Sequence, residues 1–420
     1  EGEVAATPTQ VWVQPPGTPS VGEVLLRLHQ ATGEARYLEA AVAAGEGLAW
    51  GQLSTGGWDY VIDFDPTAAQ KWHFLRDVAA GDAEPGKRRR VSTLDDDVTQ
   101  AALRFLMQLD QRLEQKNEAI HQAVVKGLEA LLGAQYPNGA WPQRFDRPAD
   151  PSLPVKRAQY PAEWSRVFPK TTYLGYYTLN DDAHPDAIRT MLLAHRLYGD
   201  ERYLAAARRG GEFLIAAQMP EPQPAWAQQY NHDMEPAWAR KFEPPAISAG
   251  ESAGAIAVLY ELWVATGDEA FRQPIGPAVR WFRDSVLPDG QWARFYELRT
   301  NRPLYFVKDT YELTYDGGNV PTHYAFKGNW GKSVLANAER YLTRPREEVI
   351  AERNRVRTPA QAEAESRRLA PQVRTVIGAL DGTGRWVKNG WIEVGTAVRN
   401  LDLLARWLQA AEEARPSPAG

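Results

Sequence analysis

Two aspartate clusters stand where helices should begin, Ser92-Thr-Leu-Asp95-Asp96-Asp97 and Tyr177-Thr-Leu-Asn180-Asp181-Asp182. A single carboxylate at a helix start is an ordinary cap, and each of these aspartates taken alone has that reading. Adjacent carboxylates beside an amide exceed what a cap requires. Together they supply the hard oxygens that Ca2+ or Mg2+ takes. With no Cys and only seven scattered His, zinc is a poor fit, so calcium is preferred, with Asp95, Asp96 and Asp181 as ligands. A second concentration of chemistry lies in the unperiodic stretch from Ala225 to Ser252, which holds Trp226, Asn231-His-Asp233, Trp238, Arg240, Lys241 and three prolines between helical patterns. Loops of that length inside a compact domain usually serve function.

The elements that must position these groups form an internal repeat. Gly33-Glu-Ala-Arg-Tyr37, Gly199-Asp-Glu-Arg-Tyr203 and Gly267-Asp-Glu-Ala-Phe271 share a phase, and a turn with Trp58, Trp226 or Trp292 follows 25, 27 or 25 residues later. Counting 25 back from Trp141 gives a degenerate copy, Lys116-Asn-Glu-Ala-Ile120, and Asp381-Gly-Thr-Gly-Arg-Trp386 closes the series weakly. Each unit reads as helix, glycine stop with an acidic first turn, second helix, then a Trp turn. The second helices carry a 3.6-residue apolar face, as in Ala123, Gly127, Leu128, Leu131 and Leu132. Hairpins with long insertions after each second helix predict an all-α fold, an α/α toroid or incomplete barrel of helical hairpins, with long loops and a few short strands at the cleft mouth. One domain over residues 1–420 is expected. Strand pieces are expected at Arg294 to Leu298 and Leu304 to Val307, charged helix over 344–374, an amphipathic helix over 389–411, and a frayed tail over 414–420.

Composition excludes several classes of function. A chain with 44% hydrophobic and 24% charged residues is an ordinary globular one. No run is apolar enough to span a bilayer, and the start, Glu1-Gly-Glu-Val, lacks a signal-peptide pattern. A net charge of -5 argues against nucleic acid, although Lys87 to Arg90, Arg144 to Arg147, Lys156-Arg157 and Arg240-Lys241 are local basic patches fit for an anionic ligand. A buried aromatic closing the hairpin is expected of Trp58 and Trp292. For Trp141 and Trp226, polar neighbours favour a sugar-facing surface. His184 and His232 read as structural, since no Ser-His-Asp order accompanies them.

Six segments then carry a resemblance: Thr93-Leu-Asp95 with Thr99-Gln, Gln135-Tyr-Pro-Asn-Gly-Ala-Trp-Pro-Gln143, Thr178-Leu-Asn-Asp181-Asp182, Ala225-Trp-Ala-Gln228, Ala239-Arg240 with Glu251-Ser, and Ala293-Arg-Phe-Tyr-Glu-Leu-Arg-Thr-Asn-Arg-Pro303. In this order they resemble the successive motifs of family-ten pectate lyases, over a core of about 91–306. The resemblance implies a secreted or periplasmic toroid that cleaves polygalacturonate by calcium-assisted β-elimination. Asp95 and Asp181 then fall on acidic active-site positions, and Arg240 on the catalytic base. Trp141, Arg144, Asn180, Trp226, Lys241 and Arg294 are the expected substrate contacts, and the basic residues of 137–170 would hold further uronates. This chain departs from the pattern at Asp96-Asp97, where an Asn-Gly-type turn is usual, and at Lys241-Phe-Glu243, where Ala-Tyr-Glu is usual. A monomer is expected, with an acidic polysaccharide as the partner. The rival readings are a glycoside hydrolase using one Asp of each cluster as acid and base and a non-catalytic polysaccharide-binding protein. A prenyl-chain cyclase fits poorly, because the insertions are polar and basic.

Overall fold

Gly33, Gly199 and Gly267 do end helices. Each adopts a left-handed backbone, with φ of 71°, 70° and 75°, and returns its N–H to the carbonyl of His29, His195 or Trp263. In the computed structural model, which describes residues 5–415, these stops divide the chain into hairpins. They are α1 Thr18–Thr32 with α2 Ala35–Trp50, α3 Val98–Arg112 with α4 Glu118–Gly133, α5 Ala183–Tyr198 with α6 Glu201–Ala217, α7 Ala249–Thr266 with α8 Ile275–Asp284, and α9 Pro359–Gly378 with α10 Val394–Glu413. This is the all-α, α/α-toroid class expected from the repeat.

The degenerate second copy has no glycine at its stop. Glu114 and Gln115 take the left-handed conformation instead, with φ of 54° and 59°, which explains why the signature fades there. Asp200 and Asp268 accept from the N–H of Arg202 and Ala270, so the acidic residue after the glycine is a cap, as its position suggested. The expected helix over 389–411 starts later, at Val394, because Asn389 (φ 53°) and Gly390 (φ 82°) turn the chain first. The start at residues 1–4 and the tail from residue 416 lie outside the described residues. Among the described residues no helix is long and apolar enough to cross a membrane.

The described residues form two compact units, one of residues up to 93, 98–130 and from 354 on, the other of 94–97 and 131–353. In the first unit α1 packs on α2, α3 and α10, and α9 packs on α10. In the second, α5 packs on α6, α6 on α7, and α7 on α8. Short strands here pair 177–178 with 229–230, and 295–297 with both 246–248 and 303–306. The last pair is the strand signal read at 294–298 and 304–307.

One hydrogen bond recurs at every hairpin. The indole Nε1 of each turn tryptophan donates to a carbonyl in or just before the last turn of the helix that precedes its turn, which is the second helix of the first four hairpins and α9 for Trp386. Trp58 bonds Leu48 at 2.8 Å, Trp141 bonds Leu131 at 2.8 Å, Trp226 bonds Leu214 at 2.8 Å, Trp292 bonds Phe282 at 2.9 Å and Trp386 bonds Val376 at 2.8 Å. The indole thus gives a carbonyl near the helix end a side-chain partner and closes the turn with its ring. A glutamine ties one hairpin to the next in the same way. Gln135 Nε2 donates to Gly139 and Ala206 carbonyls, and Gln218 Nε2 to those of Pro224 and Pro274.

This corrects the sugar-facing reading of Trp141 and Trp226. Both are 0% exposed. Their polar neighbours belong to the turn rather than to an open surface. Replacing Trp141 by Phe should therefore act on stability. With the Leu131 carbonyl stranded, unfolding free energy should fall by about 1–3 kcal/mol in chemical denaturation, while KM for a galacturonate oligomer stays unchanged. A raised KM at unchanged stability would restore the sugar-contact role.

Candidate active site

The Trp turns set where the next helices begin. After each anchored Trp the chain extends, and the residue two positions on (Gln143, Gln228 or Arg294) accepts through its carbonyl from the N–H of Leu94, Leu179 or Ala249, at 2.8, 2.8 and 2.9 Å. One residue earlier, Thr178 and Ser248 donate to the Trp141 and Trp226 carbonyls at 3.2 and 2.8 Å. This ladder holds the approach to the helices in register. In two of the three approaches the chain then passes through a pair of left-handed aspartates, Asp96 and Asp97 (φ 51° and 60°) and Asp181 and Asp182 (φ 48° and 58°). Such a backbone costs on the order of 1 kcal/mol for each non-glycine residue, and Asp is among the few that visit it.

The turns bring the predicted metal ligands together. Carboxylate oxygens of Asp95, Asp96 and Asp181 lie within 4.8 Å of one another. Asn180 bridges them, its Nδ2 donating to Asp181 Oδ2 at 2.7 Å and to Asp95 Oδ1 at 3.2 Å. Arg144 Nη2 approaches Asp95 Oδ2 at 3.7 Å, and Arg240 Nη2 approaches Asp181 Oδ2 at 3.8 Å. Burial, then the charges of Glu251, Asp96 and Asp95, push the Asp181 carboxyl up to about 7 against the pull of Arg294. Asp182 is likewise raised to about 7 by burial and by Asp186 and Glu251. It faces Gly254, where a Cβ would sit 1.9 Å from its Oδ1.

Behind Arg240 lies a buried carboxylate. Glu243 Oε1 accepts from Arg240 Nη2 at 2.5 Å, Gln228 Nε2 at 2.7 Å and Tyr324 OH at 3.2 Å. Gln228 also donates to Asn180 Oδ1, joining this carboxylate to the aspartate turns. Tyr324 OH accepts from Arg294 Nη1 at 3.1 Å, and the Arg294 guanidinium lies 4.3 Å over the Tyr324 ring and 3.7 Å from Glu251. Burial alone would lower the Arg240 pKa, but the hydrogen bond and charge of Glu243 outweigh it and hold it above the ordinary arginine value.

Asp95, Asp96, Asn180, Asp181, Arg144, Arg240 and Arg294 therefore meet as a group. Lys241 does not join it: its Nζ sits 3.6 Å over the Tyr311 ring. Trp141 and Trp226 lie buried behind it. Several basic residues of the 137–170 insertion are already paired with acids, Arg147 with Asp146, Lys156 with Asp233 at 2.6 Å and Arg166 with Glu297. His184, whose Nε2 lies 2.9 Å from the Gly210 carbonyl, and His232, beside that of Gly175, are structural as read. Three residues received no role from sequence. Gln228 carries a recoverable signal, because it stands at the same offset after its Trp as Gln143 and Arg294. Glu243 stands out only as a possible partner of Arg240. Tyr324 sits on a loop without helical or strand period, and nothing in its neighbours marks it.

A family model described as pectic acid lyase matches residues 69–291. No curated protein sequence matches the chain. Among solved structures it is similar to a family 10 polysaccharide lyase from Cellvibrio cellulosa, with 21% identity and a TM-score of 0.53 over 76% of this chain and 96% of the lyase. A variant of that lyase with an aspartate replaced by alanine, in complex with trigalacturonic acid, matches at 21% identity and a TM-score of 0.52, over 78% of this chain and 99% of the other. These likenesses establish the fold.

The raised carboxyls yield a signed pH dependence. A folded pKa near 7 against an ordinary 3.8 means that protonated Asp181 and Asp182 stabilise the metal-free protein fully below about pH 4, and that this contribution is lost as pH rises towards 7. In the presence of a chelator, Asp181→Asn should thus gain stability over the parent between pH 5 and 8 (about the span of the titration), read as a growing difference in thermal midpoint. A difference constant with pH would show that Asp181 titrates normally.

Proposed function

Because this chain belongs to the pectic acid lyase family, we propose that it cleaves polygalacturonate by β-elimination, with a calcium ion on Asp95, Asp96 and Asp181 and with Arg240 taking the proton. The observation that carries this reading is the junction at Arg240, one nitrogen of which lies 3.8 Å from a carboxylate of the acidic triad and 2.5 Å from the buried Glu243.

The donor set suits a hard divalent ion. Three carboxylates crowd one point, and burial, then Glu251 and the two neighbouring aspartates, raise Asp181. When bound, calcium neutralises the uronate carboxylate as charge develops on the adjacent carbon. The chain's own residues supply the rest. Asn180, donating to both Asp95 and Asp181, holds the two turns together. Arg294, fixed by Tyr324 and by the Ala325 carbonyl at 2.8 Å, presents a cation to a neighbouring uronate.

Arg240 faces a conflict. Arginine is ordinarily protonated, and Glu243 strengthens that state. The geometry supports a relay that resolves it. Arg240 passes its Nη2 proton to Glu243 Oε1 and so becomes the neutral base. It then takes the proton from C5 of the uronate, while the electrons of that bond form the C4–C5 double bond and the C4–O bond breaks with its electron pair leaving on the oxygen; that oxygen takes a proton from water, and Glu243 gives up the relayed proton to the hydroxide so formed. Gln228 and Tyr324 hold Glu243 in place for the transfer. Action on such a polymer suits a secreted or periplasmic monomer, and it favours unesterified polygalacturonate over neutral glycans, since the cationic groups here select carboxylates.

Three outcomes are expected. Incubation with polygalacturonate should produce ultraviolet-absorbing unsaturated ends, abolished by chelator and restored by Ca2+. New reducing ends without absorbance would instead favour the hydrolase. Arg240→Lys should lower kcat by orders of magnitude with little change in KM, because a contact of the transition state is lost. Glu243→Gln separates the relay from a simple base. It relieves the charge that keeps Arg240 protonated, so it should raise the rate at neutral pH if Glu243 only opposes the base, and lower kcat about a hundredfold or more if Glu243 accepts the proton. The relay predicts the fall.

A further inference from the structure

The basic run 87–90 takes no part in the site described above. It belongs to a segment, residues 70–90, with six cations against three carboxylates, in a chain whose net charge is -5. That segment, with Trp50, Phe64, Pro66 and Ala69, lines a cavity of about 380 Å³ with an aromatic floor of Trp50, Phe64, Trp72 and Phe74 and a rim of Arg76, Arg88 and the single carboxylate Asp77.

The floor is rigid. Trp72 and Phe74 are buried in a cluster with Leu53 and Ala69, and the Trp50 ring packs on Phe64 at 4.9 Å and on Phe74 at 5.4 Å. The two rim arginines differ. Arg88 is committed, donating to the Pro85 and Glu84 carbonyls and pairing with Asp82 at 2.9 Å. Arg76 lies over Trp50 at 3.9 Å and over Phe74 at 4.7 Å, has a loose ion pair to Asp77 at 3.7 Å, and has no hydrogen bond among the described residues. A guanidinium stacked on an indole keeps its edge open, with its fork of N–H donors set for a planar carboxylate. Phe64, 36% exposed, offers an apolar ring face beside it.

We infer that this cavity binds a uronate residue of an acidic polysaccharide, with Arg76 on the carboxylate and the aromatic wall against the sugar ring, at a site that shares no residue with the aspartate turns. The ligand class rests on the pectate lyase reading; the existence of an anion-selective sugar site does not.

Affinity electrophoresis in gels cast with polygalacturonate tests it. The parent carries Arg240→Ala, so that the polymer stays intact. Adding Arg76→Ala should weaken the retardation on the order of tenfold at low salt, and Arg76→Lys, which keeps the charge without the fork, should retain part of it. In the chain with Arg240 intact, Arg76→Ala should leave trigalacturonate turnover within about twofold. Undiminished retardation of the Arg76→Ala protein overturns the inference, and so does equal retardation of the parent by a neutral galactan. Absence of ultraviolet-absorbing product from the unaltered protein would count against the lyase chemistry alone, because retardation is read without turnover.

Discussion

Carboxylates repel, and this site holds three of them with oxygens inside a 4.8 Å span. At the effective dielectric of a protein each such pair costs about 3 kcal/mol when both groups are ionised. The surrounding architecture is arranged against that cost. Backbone ladders from the Trp turns fix both aspartate turns, left-handed aspartates aim their side chains inward, Asn180 donates to two of the acids, and Arg144 and Arg240 stand within 4 Å. Asp181 still titrates near 7. Burial and the neighbouring carboxylates leave a charge pattern that a hard divalent cation would offset.

The repeated hairpin explains how one structural solution serves several chemical positions. Every copy uses its tryptophan to seal a helix end, and the ring is buried in four of the five, with Trp386 half-buried. The residue two positions later is free to vary. It is Gln143 in one copy, Gln228 in the next and Arg294 in a third, and the latter two reach the group around Glu243 and Glu251. A scaffold repeated for stability thereby places different donors at one end of its hairpins, where binding residues commonly gather on loops held by rigid elements.

The electrostatics around Arg240 set two demands against each other. Holding the guanidinium in a fixed pose calls for an acidic partner, and Glu243 is that partner; acting as a base calls for loss of a proton, which the same partner resists. Glu243 is buried, at 1% exposed, and Gln228 and Tyr324 hold it against the guanidinium. The pair is thus one hydrogen-bonded unit whose two members hold each other in place.

Much of this was legible in the sequence because it depends on local rules. Glycine at a left-handed stop, Asp at a cap, apolar spacing along a helix and a Trp at constant offset are short-range signals, and they determined the hairpins and their order. The aspartate clusters and Arg240 stood out by type and by a resemblance spread over six ordered motifs. Tertiary structure alone decided the rest. Whether Trp141 and Trp226 faced sugar or core depended on where an indole N–H found a carbonyl, and both rings were claimed by helix ends. Which carboxylate paired with Arg240, and that Tyr324 would bridge Glu243 and Arg294, depended on segments 81 and 30 residues apart meeting in space. No periodicity encodes such a meeting, because the packing of separate hairpins, and not local conformation, brings those side chains together.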